Sequence, residues 1–134
     1  MSKIDDCIII DIPKIKDRRG NLAVVEKDTI PFAMQRIYYL FDVPAGAYRG
    51  GHAHKNQQAF LIAMSGSFEV ILDDGNQRKS ILLNRPDQGL LIRNGIWREI
   101  QNFSQGGVAL VVSSDPYDEA DYIRDYDEFV KYKR

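Results

Sequence analysis

Two histidines, the only ones among 134 residues, stand in the run Arg49-Gly50-Gly51-His52-Ala53-His54-Lys55. In an extended strand successive side chains point to opposite faces, so His52 and His54 share a face with only Ala53 between them. Imidazole is the side chain best matched to proton transfer near neutral pH, and it is also a common metal ligand. The pair therefore points to a site, whereas a lone histidine would more often be structural. Upstream, Gln35-Arg36-Ile37-Tyr38-Tyr39-Leu40 offers phenols on an adjacent expected strand, and a phenol can donate to an oxygen that gains charge during a reaction. Alternation sends Tyr38 and Tyr39 to opposite faces, so one of them lines the cavity with the histidines. Tyr38, in phase with Arg36, is the candidate donor and Tyr39 the alternative. Either could instead be a core aromatic with its hydroxyl at the rim.

The elements that must position these residues read as strands. Apolar runs of four to eight residues, rich in Val, Ile, Phe and Tyr, alternate with turn signals, the pattern of an all-β domain. About nine strands are expected, near residues 7–12, 22–26, 35–43, 49–55, 57–64, 67–73, 77–83, 89–93, 96–102 and 107–113, the tenth run continuing a neighbour's sheet. Pro44-Ala45-Gly46, Ser65-Gly66, Asp74-Gly75-Asn76, Asn94-Gly95 and Gly106-Gly107 supply the reversals. Short hairpins mean antiparallel pairing, and closing the sheet into a barrel would remove exposed edges. One helix is expected, over residues 119–133, with Tyr122, Tyr126, Phe129 and Val130 at helical spacing as a core stripe and the acidic stretch before it as its N-terminal cap.

The chain's length fits one domain, residues 1–134. With 18 basic and 19 acidic residues the formal net charge is −1, so no general field favours nucleic acid or an anionic membrane, and an anionic ligand must be held by local arginines. A single Cys7 cannot form an internal disulfide; it reads as a buried strand residue. The N-terminal apolar run is too short for a signal peptide or a spanning helix, so a cytoplasmic protein is expected.

The surroundings of the histidine pair resemble the first cupin motif at Gly46, His52, His54 and Gly66, but Gln58 stands where that motif has glutamate. The second motif begins at Gly89, and Ile100 takes the place of its histidine. In metal-binding cupins those four positions hold the ion. Two neutral imidazoles alone are a poor cage for a divalent cation, so no metal and no other cofactor is expected, and the histidines are freed for proton transfer. Further stretches, DRRGNLAVVE, IPFAMQRIYYLFDV, YRGGHAHK, GSFEVILDDGN, IWREI and SSDPYDEADYIRDYDEFVKY, resemble the dTDP-4-oxo-6-deoxy-glucose 3,4-ketoisomerases, the WxcM-like sugar cupins.

That resemblance implies an RmlC-like jelly-roll cupin barrel with a C-terminal helix. It implies a metal-independent isomerase that moves the ketone of dTDP-4-oxo-6-deoxy-glucose from carbon 4 to carbon 3 through an enediol(ate), for 3-amino-3,6-dideoxyhexose synthesis. His52 would be the base, His54 would assist proton exchange between the oxygens, and Tyr38 would meet the oxyanion. Arg19, in a turn like the family's, and Arg49 are phosphate candidates, because guanidinium forks match phosphate oxygens. Trp97 and Tyr39 are candidates for the sugar or base pocket. Each also has a plain reading as surface charge or core aromatic. Arg98 stands where other members have histidine, which leaves its role open. A homodimer with an exchanged N-terminal strand, residues 7–12, is implied as well. The alternatives are a nucleotide-sugar 3,5-epimerase, whose histidine is normally partnered by a distant aspartate, and a non-catalytic nucleotide-sugar-binding cupin. If one histidine moves the proton on a single ring face, the xylo product is favoured over the ribo epimer.

Overall fold

The computed structural model describes residues 2–134. Its strands are β1 (Ile8–Asp11), β2 (Lys14–Ile15), β3 (Leu22–Ala23), β4 (Arg36–Leu40), β5 (Arg49–His54), β6 (Ala59–Ser65), β7 (Phe68–Asp73), β8 (Arg78–Leu83), β9 (Gln88–Ile92), β10 (Trp97–Gln101), β11 (Val108–Ser113) and β12 (Tyr122–Ile123). One helix, α1, spans Tyr126–Lys133. All pairings are antiparallel, in a five-stranded sheet of order β1-β9-β6-β11-β4, a second of order β12-β5-β10-β7-β8, and a small β2-β3 ribbon. The two five-stranded sheets form the implied jelly roll, and their ladders do not join among the described residues.

The sheets face each other over a core that includes Leu61, Leu90, Ile92 and Val111 from one and Phe68, Val70, Leu72 and Ile100 from the other. Strand β6 explains its own unbroken apolar sequence. Leu61 and Ala63 enter this core, while Phe60 and Ile62 join Ile12, Ile30, Leu91 and Val112 on the outer face. A strand covered on both sides loses the apolar–polar alternation. Gly89 of β9 is required by that outer layer, because a Cβ there would lie 2.1 Å from the Phe60 ring.

Two sequence expectations change. The helix starts at Tyr126, not at residue 119: Asp125 accepts the Glu128 backbone N–H at 3.0 Å, an N-cap that starts the helix there. The stretch before it is a short 3-10 turn, Glu119–Asp121, followed by β12 against β5 with Tyr122 opposite His54. Tyr122 is therefore not part of a helical stripe. Cys7 is buried and free but precedes β1. Within the single chain, β1 pairs with β9, Ile8 opposite Leu91.

Candidate active site

Between the two sheets lies a cavity of about 290 Å³. From β4 and its sheet come Arg36, Tyr38, Leu40, Leu61 and Val111; from the other sheet come Arg49, His52, Arg98, Ile100 and Tyr122, with Arg124 beyond.

The side chains of Arg49 and His52 should point to opposite faces of a regular strand, since they are three residues apart. They reach the same cavity because β5 is bulged. Arg98 pairs with His52 while Ile100 pairs with Arg49, so two steps along β10 oppose three along β5. Gly50 takes up the extra residue at φ +81°, in the left-handed region. On β10 the alternation is regular: Arg98 and Ile100 face the cavity, and Trp97 faces away.

The two imidazoles meet Nε2 to Nε2 at 3.1 Å. His52 lines the cavity, whereas His54 is fully buried beside it. His54 Nδ1 lies 3.1 Å from Asp121 Oδ2, and Asp121 also accepts the backbone N–H groups of Asn56 and Gln57 at 2.7 and 3.1 Å. The Gln57 amide donates toward His54 Nε2 at 3.3 Å. The Tyr122 ring covers both imidazoles, with centroids 5.0 Å from His52 and 4.3 Å from His54. Burial and the nearby Arg98 cation hold both histidines well below the ordinary imidazole range, His52 at about 3. Both are neutral at pH 7.

Arg98 is buried, donates to the Ile96 carbonyl at 3.1 Å and has no partner for its Nε. Its guanidinium makes no salt bridge among the described residues. An unpaired cation in a low-dielectric site is costly, and it is suited to meet negative charge that appears there during a reaction. Burial raises the Tyr38 phenol's pKa, keeping it protonated and able to donate. Arg36 stacks on Tyr38 with its guanidinium 4.5 Å from the ring centre and leaves one buried Nη1 without a partner.

Other candidates lie elsewhere. Tyr39 is on the outer face of β4, 60% exposed and beside Phe41, because its neighbour Tyr38 takes the inward phase. Arg19 is fork-paired to Asp17 in an exposed turn. Trp97 packs on Phe129 beneath α1 and donates its indole N–H to Glu99 at 2.8 Å. Sequence reasoning missed Arg36, Tyr122, Arg124 and Asp121. The signal that could have found the last three was the Asp125–Glu128 capping pattern, which frees residues 119–124 from the helix.

A metal-cupin donor set does not fit here. The Gln58 amide oxygen accepts from Arg93 at 2.9 Å, and Ile100 lines the wall with carbon. No group of three His, Cys, Asp or Glu side chains converges among the described residues.

The family model described as WxcM-like, C-terminal (FdtA) matches residues 5–134. The chain belongs to this family. Relatives agree along nearly its whole length. The TDP-4-oxo-6-deoxy-alpha-D-glucose-3,4-oxoisomerase of Aneurinibacillus thermoaerophilus is 46% identical over 125 residues, 92% of this chain and 90% of that protein. A solved 3,4-ketoisomerase from Helicobacter canadensis is 47% identical with a TM-score of 0.93, over 96% of this chain and 97% of the other. The WlaRB TDP-quinovose 3,4-ketoisomerase of Campylobacter jejuni is 49% identical with a TM-score of 0.89, over 94% and 98%. This family member thus shares the cupin-type fold of sugar ketoisomerases, with its cavity between the sheets.

Proposed function

We propose that the chain is a TDP-4-oxo-6-deoxy-glucose 3,4-ketoisomerase that works without a metal. The observation that carries this reading is the pairing of a neutral, cavity-facing His52 on one sheet with a protonated Tyr38 on the other, beside the unpaired guanidinium of Arg98. In a 4-oxo sugar the ketone acidifies the hydrogen on carbon 3. His52 takes that proton, the C3–H electron pair forms the C3=C4 double bond, and charge moves onto the carbon 4 oxygen. Arg98 and Tyr38 stabilise this oxyanion. The proton of the carbon 3 hydroxyl passes to the carbon 4 oxygen, and protonation at carbon 4 then leaves a hydroxyl at carbon 4 and the ketone at carbon 3. Arg36, Arg49 and Arg124 at the same cavity suit the two phosphates.

The distant aspartate expected of a 3,5-epimerase is present here as Asp121 on His54, so that feature does not separate the two reactions. The 46–49% identities to ketoisomerases favour ketone migration. Incubation with TDP-4-oxo-6-deoxy-glucose in deuterium oxide, followed by NMR, tests this reading. The expected result is a 3-oxo sugar deuterated at carbon 4. Deuterium at carbon 5 with the ketone unmoved would make the protein an epimerase, and recovery of unchanged, undeuterated substrate would make it a binder.

Stereochemistry follows from the facing tyrosine. The xylo product is required only if no donor stands opposite the base, and Tyr38 reaches the cavity from the sheet facing His52. We therefore favour the ribo product, in keeping with the 49% identity to an enzyme named for TDP-quinovose, the gluco-configured 6-deoxy sugar.

A homodimer belongs to this reading too, in the reducing cytoplasm that a single buried free Cys7 suits. Ile15 and Leu22 on the β2-β3 ribbon and Ile37, Tyr39 and Phe41 on the outer face of β4 and just beyond it are 54–64% exposed, an apolar surface that a second copy would cover. Light scattering at micromolar concentration should give twice the chain mass; a monomer would remove the dimer.

A further inference from the structure

We infer that Asp121 is a positioning residue that makes His54 the proton acceptor of His52, so that the three form a buried relay leading away from the cavity. The inference rests on the isomerase reading and deepens it. The geometry leaves one arrangement for His54. Asp121 already accepts two backbone N–H groups, from Asn56 and Gln57, and a carboxylate has no hydrogen to give back. His54 Nδ1, 3.1 Å from Oδ2, must therefore carry the ring's proton. His54 Nε2 is then a lone pair. It faces the Gln57 amide at 3.3 Å and His52 Nε2 at 3.1 Å. Gln57 presents its NH2 group in that direction, since its second contact, Ser113 Oγ at 3.3 Å, can accept.

This resolves a difficulty in using His52 as a base. Its ring lies near the cations Arg98 on β10 and Arg124 after β12, with Arg36 acting on its neighbour from β4 and only the Glu119 carboxylate acting on His52 the other way. A proton taken from carbon 3 would leave an imidazolium among them. Across the 3.1 Å Nε2–Nε2 contact that proton is shared with His54, whose other nitrogen rests on the one carboxylate in hydrogen-bond contact with either ring among the described residues. The atoms balance: the C3–H bond breaks, its electrons enter the enediolate, the histidine pair holds that proton while Tyr38 gives one to carbon 4, and exchange with water then restores both groups. His54 is fully buried and does not line the cavity, so its contact with the cavity runs through His52.

The test reads the tautomer directly in the whole protein. Nitrogen-15 NMR of the wild-type enzyme at pH 7 should show His54 protonated on Nδ1 and bare on Nε2. Asp121→Asn should lose that bias and lower kcat about 100-fold with KM essentially unmoved, while the NMR activity assay of the wild type reports separately on the isomerase reading. Should Asp121→Asn fail to fold, the wild-type spectrum and His54→Gln, which keeps an amide near the His52 contact but breaks the link to Asp121, carry the test: kcat should fall with KM held. A proton on His54 Nε2 in the wild type, or wild-type kcat in Asp121→Asn, overturns the relay.

Discussion

Replacing Gly50 with alanine should separate the backbone's role at the site from its role in stability. The added methyl would sit 3.4 Å from Ile100 Cγ1, an ordinary contact, so the cost lies in the backbone. Gly50 holds φ at +81°, and an L side chain in the left-handed region costs about 1–2 kcal/mol. The strand can escape this strain by pairing regularly with β10, but that removes the extra residue and turns Arg49 to the opposite face. A charge-assisted contact to a phosphate contributes about 1.5–3 kcal/mol, so KM should rise about 10- to 150-fold, with kcat changed less. Gly46 supplies the control. It has φ +83° with nothing within 4 Å of a built Cβ, and it lies in the turn before β5. Urea unfolding should show a similar loss of about 1–2 kcal/mol in Gly46→Ala, yet its KM for the nucleotide sugar should stay at the wild-type value. If the two variants had equal KM values, the bulge would not be what brings Arg49 into the cavity.

Arg98→Met should lower kcat about 100- to 1000-fold through loss of the oxyanion partner. It should also move the acid limb of the rate profile to higher pH, because the cation no longer depresses His52. The pH dependence of folding has a defined sign. His52 is held at about 3 against an ordinary 6.5, so below about pH 6.5 the unfolded chain binds protons that the folded ring refuses. Urea midpoints should therefore fall as pH drops from 6.5 toward 3, and His52→Asn, which abolishes turnover, should flatten that slope. Treatment with a chelator should leave activity intact; restoration of lost activity by one divalent ion would refute the metal-free reading. Proton NMR of fresh product should show the large coupling between the carbon 4 and carbon 5 hydrogens of an equatorial alcohol, whereas a small coupling would return the chemistry to one base on one face.

The meeting of the two imidazoles was legible because strand alternation is a local rule, and His52 and His54 satisfy it within three residues. Tyr38 and Tyr39 were legible as a choice but not as an answer. Their phase is set by β11, where Val111 opposite Tyr38 enters the inter-sheet core. Arg49 shows a limit of alternation: it reaches the cavity only through a bulge, and a bulge is written in the pairing of two strands, not in either one alone. Asp121 and Tyr122 stayed hidden for a different reason. Aromatic residues at positions 122, 126 and 129 match a helical period by coincidence, and the two-residue β12 is too short to leave a period of its own. Arg98 was visible as a departure from other members, but its burial without an ion partner is a tertiary property.

The pairing of β5 with β12 also sets when this protein can first act. His54 gains its carboxylate from a residue 67 positions later, and Tyr122, which covers both imidazoles, comes after that. During synthesis, which delivers the N-terminal part first at about 5–20 residues per second, both sheets can assemble all but one strand while the histidines still lack their wall and their anion. A nascent or prematurely terminated chain ending before Asp121 would keep most of the apolar core and both histidines, yet have no finished site. Emergence of Asp121 and Tyr122 thus becomes the step that finishes the site.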